Sequence, residues 1–177
     1  SIARHVRRAH GGRVWTVLLT SRIDGAAIAG HVADTGVDIV QIVDAPQPRA
    51  YAELRRAHPK LRIMQVVHVE DARAIDEARR AGEEVDFILL DSGRPSAATR
   101  TLGGTGDLHD WAISRRIVEA APVPGCLAGG LNAQNVGAAI RAVRPYGVDL
   151  CSGLRDKERG YALNAAKLAA FTAAVLS

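Results

Sequence analysis

Three observations in this sequence predict a parallel α/β fold. Six short apolar runs recur along the chain. Helical patterns separate them in strict alternation. The runs are almost continuously apolar rather than alternately polar and apolar, as expected of strands covered on both faces by helices. Strand-then-helix alternation implies repeated right-handed βαβ units.

The elements follow in order. Ser1–His10 reads as a helix with Ile2, Val6 and Ala9 on one face, stopped by Gly11-Gly12. Val14–Thr20 is the first strand and Asp24–Thr35 the next helix. Ile39–Val43 is a strand, followed after a proline-containing loop by a helix over Arg49–Ala57. Arg62–Val69 is a strand; Asp71–Ala81 is a helix with an acidic first turn, stopped at Gly82. Phe87–Ser92 is a strand. The helix Asp110–Ala121 stops before Pro122. Gly125–Leu131 is a strand, and the helix Asn132–Val143 opens on an asparagine cap and ends before Pro145. Val148–Gly153 is the last strand and Asn164–Leu176 the last helix. No low-complexity linker interrupts the pattern, so residues 1–177 read as a single domain.

Six such units fit an open doubly wound sheet or part of a (βα)8 barrel. No GxGxxG follows the first strand, which counts against dinucleotide binding. A closed barrel needs eight strands, and the opening helix has no strand before it. A barrel lacking its first two strands leaves two sheet edges unpaired.

Composition narrows the function classes. Hydrophobic residues make up 47% and aromatics 4% of the 177 residues, so the core is aliphatic. The net charge is +4, with arginines spread along many segments, and no nucleic-acid role is expected. No apolar run reaches membrane-spanning length and no signal peptide is visible. Cys126 and Cys151 are the only cysteines, neither in a CxxC, as expected of reduced thiols in a cytoplasmic protein.

Chemistry concentrates in three segments. Phe87-Ile-Leu-Leu-Asp91-Ser92 is an apolar strand ending in a carboxylate. Asp91 there is either a catalytic acid or a loop-bracing group. Gly103-Gly-Thr-Gly106 suits a loop folding over a substrate, or a plain surface turn. Leu127-Ala-Gly-Gly-Leu131 ends a strand in a glycine pair that opens a helix. Gly129 and Gly130 remove side chains where backbone N–H groups can approach a phosphate, or simply permit a tight turn. Ser152 and Gly153 after the last strand can add N–H groups and a hydroxyl. Trp111 reads chiefly as a core residue.

The order and spacing of four segments resemble phosphoribosylanthranilate isomerases of tryptophan biosynthesis. They are Phe87–Ser92, Gly103-Gly-Thr-Gly-Asp-Leu-His-Asp-Trp111, Leu127-Ala-Gly-Gly-Leu-Asn-Ala-Gln-Asn-Val136, and Ala139–Asp149 running into Ser152-Gly153. The resemblance implies a (βα)8 TIM barrel whose third to eighth strands are the six here, an N-terminally incomplete barrel. It implies an isomerase that carries out an Amadori rearrangement of a phosphoribosyl substrate, with Asp91 as general acid, Asp149 and Gln41 on the substrate, and phosphate held by Gly129, Gly130, Leu131, Ser152 and Gly153. It implies no metal or organic cofactor, and a monomer or homodimer.

The chain also departs from that pattern. The family's general base is a cysteine in a Lys-x-Cys-Gly-like first strand, and no such segment occurs here. The arginine that anchors anthranilate is absent too. A Gln-Leu-His-Gly segment is Gln41-Ile-Val-Asp44, Asp107 stands at a usually basic position, His109 replaces an aromatic, and Cys151-Ser-Gly153 replaces Ser-Ser-Gly. Strand alternation would put Asp149, Cys151 and Gly153 on one face, which raises Cys151 as a substitute base against the unfavourable electrostatics of a thiolate beside a phosphate; His68 at its strand end is another candidate, though a satisfied structural histidine is the stronger reading. On this reading the chain alone turns over little substrate yet still binds a sugar phosphate weakly. The alternatives are a non-catalytic sugar-phosphate-binding barrel and an open barrel completed by a second copy.

Overall fold

The computed structural model describes residues 1–92 and 110–177. The Gly103–Gly106 loop, Asp107 and His109 lie outside these. Among the described residues six parallel strands form one curved sheet in sequential order: β1 (Val17–Thr20), β2 (Ile39–Ile42), β3 (Arg62–His68), β4 (Phe87–Asp91), β5 (Gly125–Leu127) and β6 (Gly147–Val148). A doubly wound sheet would reverse its strand order, and this one does not. The architecture is of the (βα)8 TIM-barrel type. Within the described residues β1 and β6 each pair on one side only.

The helices are α1 (Ile2–His10), α2 (Gly25–Thr35), α3 (Ala50–Ala57), α4 (Arg73–Gly82), α5 (Trp111–Ala120), α6 (Val136–Val143) and α7 (Ala165–Leu176). Their starts follow side-chain chemistry. The carboxylate of Asp24 accepts from Ala27 N at 2.8 Å, that of Asp110 from Ala112 N at 2.8 Å, and the Asn164 side chain from Lys167 N at 3.0 Å. Gly36 closes α2 in the left-handed region, at φ 66°.

Side chains of the sheet sort by alternation. Val40, Ile42, Ile63, Val67, Ile88 and Leu90 point to the convex face and join the helices in the main core. Val66, Leu89 and Ala128 form a smaller cluster on the concave face, with Val43, Met64 and Cys126 against it. Trp111 packs against the main core, as expected.

Two expected strands are shorter than their apolar runs. Gly125–Leu131 stops pairing at Leu127, because Gly129 and Gly130 sit at φ 84° and 63°, where no strand continues. Val148–Gly153 reduces to Gly147–Val148, after which the chain turns into a 3₁₀ turn over Ser152–Leu154. Helix α6 starts at Val136 rather than Asn132. The Asn132 side chain instead caps a preceding turn, accepting from Gln134 N at 2.9 Å and Asn135 N at 3.1 Å. A small antiparallel pair, β7 (Arg155–Asp156) with β8 (Ala162–Leu163), has no counterpart in the sequence expectation.

A repeated clasp holds the opposite, N-terminal rim of the sheet. Arg7 of α1 donates to Gly36 O at 3.2 Å and to Asp38 Oδ1 at 2.6 Å, and Asp38 Oδ2 accepts from Thr16 N at 2.8 Å. Arg55 of α3 donates to Glu84 O at 3.0 Å and to Asp86 Oδ2 at 3.3 Å, and the same oxygen accepts from Ile63 N at 2.7 Å. The sequence carries the same repeat: Arg-Arg-Ala-His at 7–10 and 55–58, Val-Asp at 37–38 and 85–86. Each aspartate spans a strand pair just before its first ladder partners, Val17 with Ile39 and Met64 with Phe87, and so sets the register.

Burial raises the Asp38 carboxyl, but the Thr16 amide, the Arg7 guanidinium and the Thr16 hydroxyl outweigh it and hold it below the usual carboxylate value. A depressed native pKa contributes stability that is complete above the unfolded value of about 4 and is lost as pH falls through and below it. Asp38→Asn should therefore lower the urea midpoint at pH 7, and the gap from the unmodified chain should narrow at pH 3. An equal gap at both pH values would contradict this account of the clasp.

Candidate active site

A cavity of about 380 Å³ opens on the concave face at the C-terminal strand ends. Its floor is apolar: Val43, Val66, Leu89 and Ala128. The rim carries Asp91 from β4, the loop Gly129–Leu131 after β5, and Asp149 and Ser152 after β6, while Gln41 of β2 lies deeper, two residues before Val43 and level with Met64. Leu19 and Ser21 border it at the β1 end, where Leu19 is 62% exposed. The described lining holds two carboxyl groups and no basic side chain.

Asp91 is the last residue of β4 and only 9% exposed. Burial first, and then the charge of Asp91, push the Asp149 carboxyl above its ordinary value. The two carboxyls thus face one space, and Asp149 holds its proton to higher pH than a free carboxyl does. Beneath them the Cys126 thiol is pushed up to about 11, by burial and then by Asp149.

The glycine loop is tightly built. A Cβ on Gly129 would lie 2.5 Å from Ser92 Oγ and 2.8 Å from Ser92 N, so the backbone approach excludes any side chain. Ser92 is 5% exposed, and among the described residues its hydroxyl has no partner. On the other side Asn135 Nδ2 donates to Gly130 O at 2.9 Å, while its Oδ1 accepts from Asn132 N at 2.8 Å. A Cβ on Gly153 would run into the carbonyl oxygen of Leu131, so the two loops abut directly.

Most of the expected site residues converge here: Gln41, Asp91, Gly129, Gly130, Leu131, Asp149 and Ser152 line one cavity. Gly153 does not line it; it lies in the 3₁₀ turn against Leu131. Because β6 ends at Val148, strand alternation does not place Asp149 and Cys151, although both line the cavity. Cys151 is exposed, with Arg155 Nε 3.2 Å from its Sγ. His68 pairs in register with Asp91, but its ring is turned to Val43 O at 3.3 Å, and it is not part of the lining. The apolar floor and the Ser92 and Asn135 contacts were missed in the sequence. Counting back by twos from Asp91 locates Leu89; nothing local announces the other contacts.

A family model for N-(5′-phosphoribosyl)anthranilate isomerase matches residues 7–172. The chain belongs to the phosphoribosylanthranilate isomerase family. A relative from Methanosarcina mazei, N-(5′-phosphoribosyl)anthranilate isomerase 2, is 41% identical over 140 residues, which are 79% of this chain and 61% of that protein. One from Methanocella arvoryzae is 38% identical over 68% of this chain and 54% of its own length. The chain thus spans less than two thirds of the length of these relatives. Phosphoribosyl anthranilate isomerase from Thermococcus kodakaraensis superimposes with a TM-score of 0.71 at 29% identity, over 92% of this chain and 75% of that one. The Thermotoga maritima structure reaches 0.76 at 24% identity, over 98% and 78%, and supports the fold.

The two thiols of this family member should separate cleanly. At pH 8 iodoacetamide should label Cys151, which is exposed, and leave Cys126, buried and pushed up to about 11, unmodified in the folded chain. Mass spectrometry should show one adduct, and none on Cys151→Ser. Two adducts forming at equal rates would contradict the placement.

Proposed function

We propose that this chain carries the acid and phosphate-holding side of an isomerase acting on N-(5-phosphoribosyl)anthranilate in tryptophan biosynthesis. Asp91 and the Gly129–Leu131 loop open onto one cavity, and that observation carries the reading. The reaction moves protons without net gain or loss of atoms. Asp91 delivers a proton to the ring oxygen of the sugar, the ring opens, and a base takes the C2′ proton. Asp149 and Gln41 meet the sugar, and the apolar floor receives the aromatic ring. Gly129, Gly130, Leu131, Ser152 and Gly153 form the phosphate cradle, with the positive end of α6 behind it. Gly153 serves it from behind, by letting its loop pack onto Leu131.

The comparisons lend support. A solved relative, 21% identical, is a phosphoribosyl anthranilate isomerase in complex with reduced 1-(o-carboxyphenylamino)-1-deoxyribulose 5-phosphate. The same reading takes residues 1–177 as one domain in a cytoplasmic protein with a small-molecule substrate and no nucleic-acid partner, as monomer or homodimer. The Thermotoga maritima relative is described as dimeric. Among the described residues no helix is long and apolar enough to cross a membrane. Among the described residues no feature of the site favours a non-catalytic sugar-phosphate barrel over this reading.

Ribose 5-phosphate titrated to millimolar concentration should move the backbone amide resonances of Gly129, Gly130, Leu131 and Ser152. Gly130→Val should abolish those shifts by blocking the approach. Asp91→Asn should keep them, while lowering kcat of the protein as it occurs by about 10²–10⁴-fold. Shifts centred elsewhere would sink the cradle, and full activity in Asp91→Asn would sink the acid.

A further inference from the structure

We propose that Asn135 is a positioning residue for the phosphate cradle: its side chain sets the Gly130–Leu131 peptide so that the Leu131 N–H faces the cavity. This rests on the phosphate reading of the loop and adds the residue that makes the loop competent.

A trans peptide is planar, with its C=O and N–H on opposite sides. Gly130 O is turned to Asn135 Nδ2 at 2.9 Å, on the α6 side of the loop. The N–H of the same peptide, belonging to Leu131, therefore points the other way, toward the cavity that Gly130 and Leu131 line. Rotating this one peptide would withdraw the donor and present a carbonyl oxygen to the anion. Two adjacent glycines at positive φ offer little resistance of their own to such rotation. The restraint has to come from outside the pair.

Asn135 is suited to supply it. Its Oδ1 accepts from Asn132 N at 2.8 Å, so that atom must be the oxygen, and Nδ2 is left to donate to Gly130 O. The two bonds fix the amide orientation between them. The main chain of Asn135 is locked into the helix start, with Ala139 N donating to Asn135 O at 2.9 Å. The neighbours of the peptide are also held: Gly129 packs on Ser92, and Leu131 is buried. The described lining offers an anion two carboxyls and no basic side chain, so a correctly directed N–H matters more here than beside a lysine or arginine.

Asn135→Asp separates positioning from folding. The carboxylate still accepts from Asn132 N but cannot donate to Gly130 O. Sitting at the start of α6, it also favours the helix electrostatically. Asn135→Ala removes both bonds without adding charge. Ribose 5-phosphate is titrated into the unmodified chain and both variants, with amide NMR for binding and thermal unfolding for stability. The expected result is an affinity loss of at least tenfold in both variants, with the melting temperature of Asn135→Asp equal to or above that of the unmodified chain. The loss in the uncharged Asn135→Ala shows that repulsion by the new carboxylate is not the cause. Affinity within twofold of the unmodified chain in Asn135→Asp or in Asn135→Ala overturns the proposal, as does a melting-temperature loss in both variants that parallels the affinity loss. An unmodified chain that shows no shifts at Gly129–Leu131 overturns the phosphate reading together with this one. Shifts there that survive in Asn135→Asp overturn this one alone.

Discussion

The pairing of β3 with β4 is the constraint on which the rest of the structure depends. Its register runs from Met64–Phe87 to His68–Asp91, and all five residues of β4 are buried. Ile88 and Leu90 go to the helices, Leu89 to the concave cluster, and Asp91 follows Leu89 to the same side. A slip of one residue would send the carboxyl into the aliphatic layer and bring two isoleucine- and leucine-sized groups to the cavity. The acid's position is thus secured by the hydrophobic effect acting on its neighbours, with no bond to the acid itself required.

The cavity then has an unusual electrostatic balance. Two carboxyls share it, and the described lining offers neutral donors rather than basic side chains. Such a space resists full ionisation, and the raised Asp149 shows the direction in which it yields. Backbone N–H groups and the α6 terminus can receive a phosphate without placing a further full charge in the cavity.

Stability and chemistry occupy opposite rims. The Arg7–Asp38 and Arg55–Asp86 clasps tie the N-terminal ends of two strand pairs, while the cavity gathers at the C-terminal ends. The clasps set strand register far from the site, so the loops above are free to take conformations that no strand or helix would choose. Positive φ at Gly129 and Gly130 and the turn at Ser152–Leu154 are tolerated because the sheet below is already in register.

The sequence by itself determined the parallel strands, the helices that open at Asp24, Asp110 and Asn164, and the strand end at which Asp91 stands. These depend on period, apolar runs and side chains acting within a few residues, all local quantities. It overstated β5 and β6, because Ala128–Leu131 and, Asp149 apart, Leu150–Gly153 stay apolar or small after the ladder has ended at Leu127 and Val148. Only the tertiary structure decided that Asp149 lies near Asp91, that Ser92 abuts Gly129, that Gly153 packs on Leu131 and that His68 turns away to Val43. Each of these contacts joins separate strands or loops, and its distance is set by sheet curvature and strand stagger. Those are properties of the whole packed layer and have no signature in any one segment.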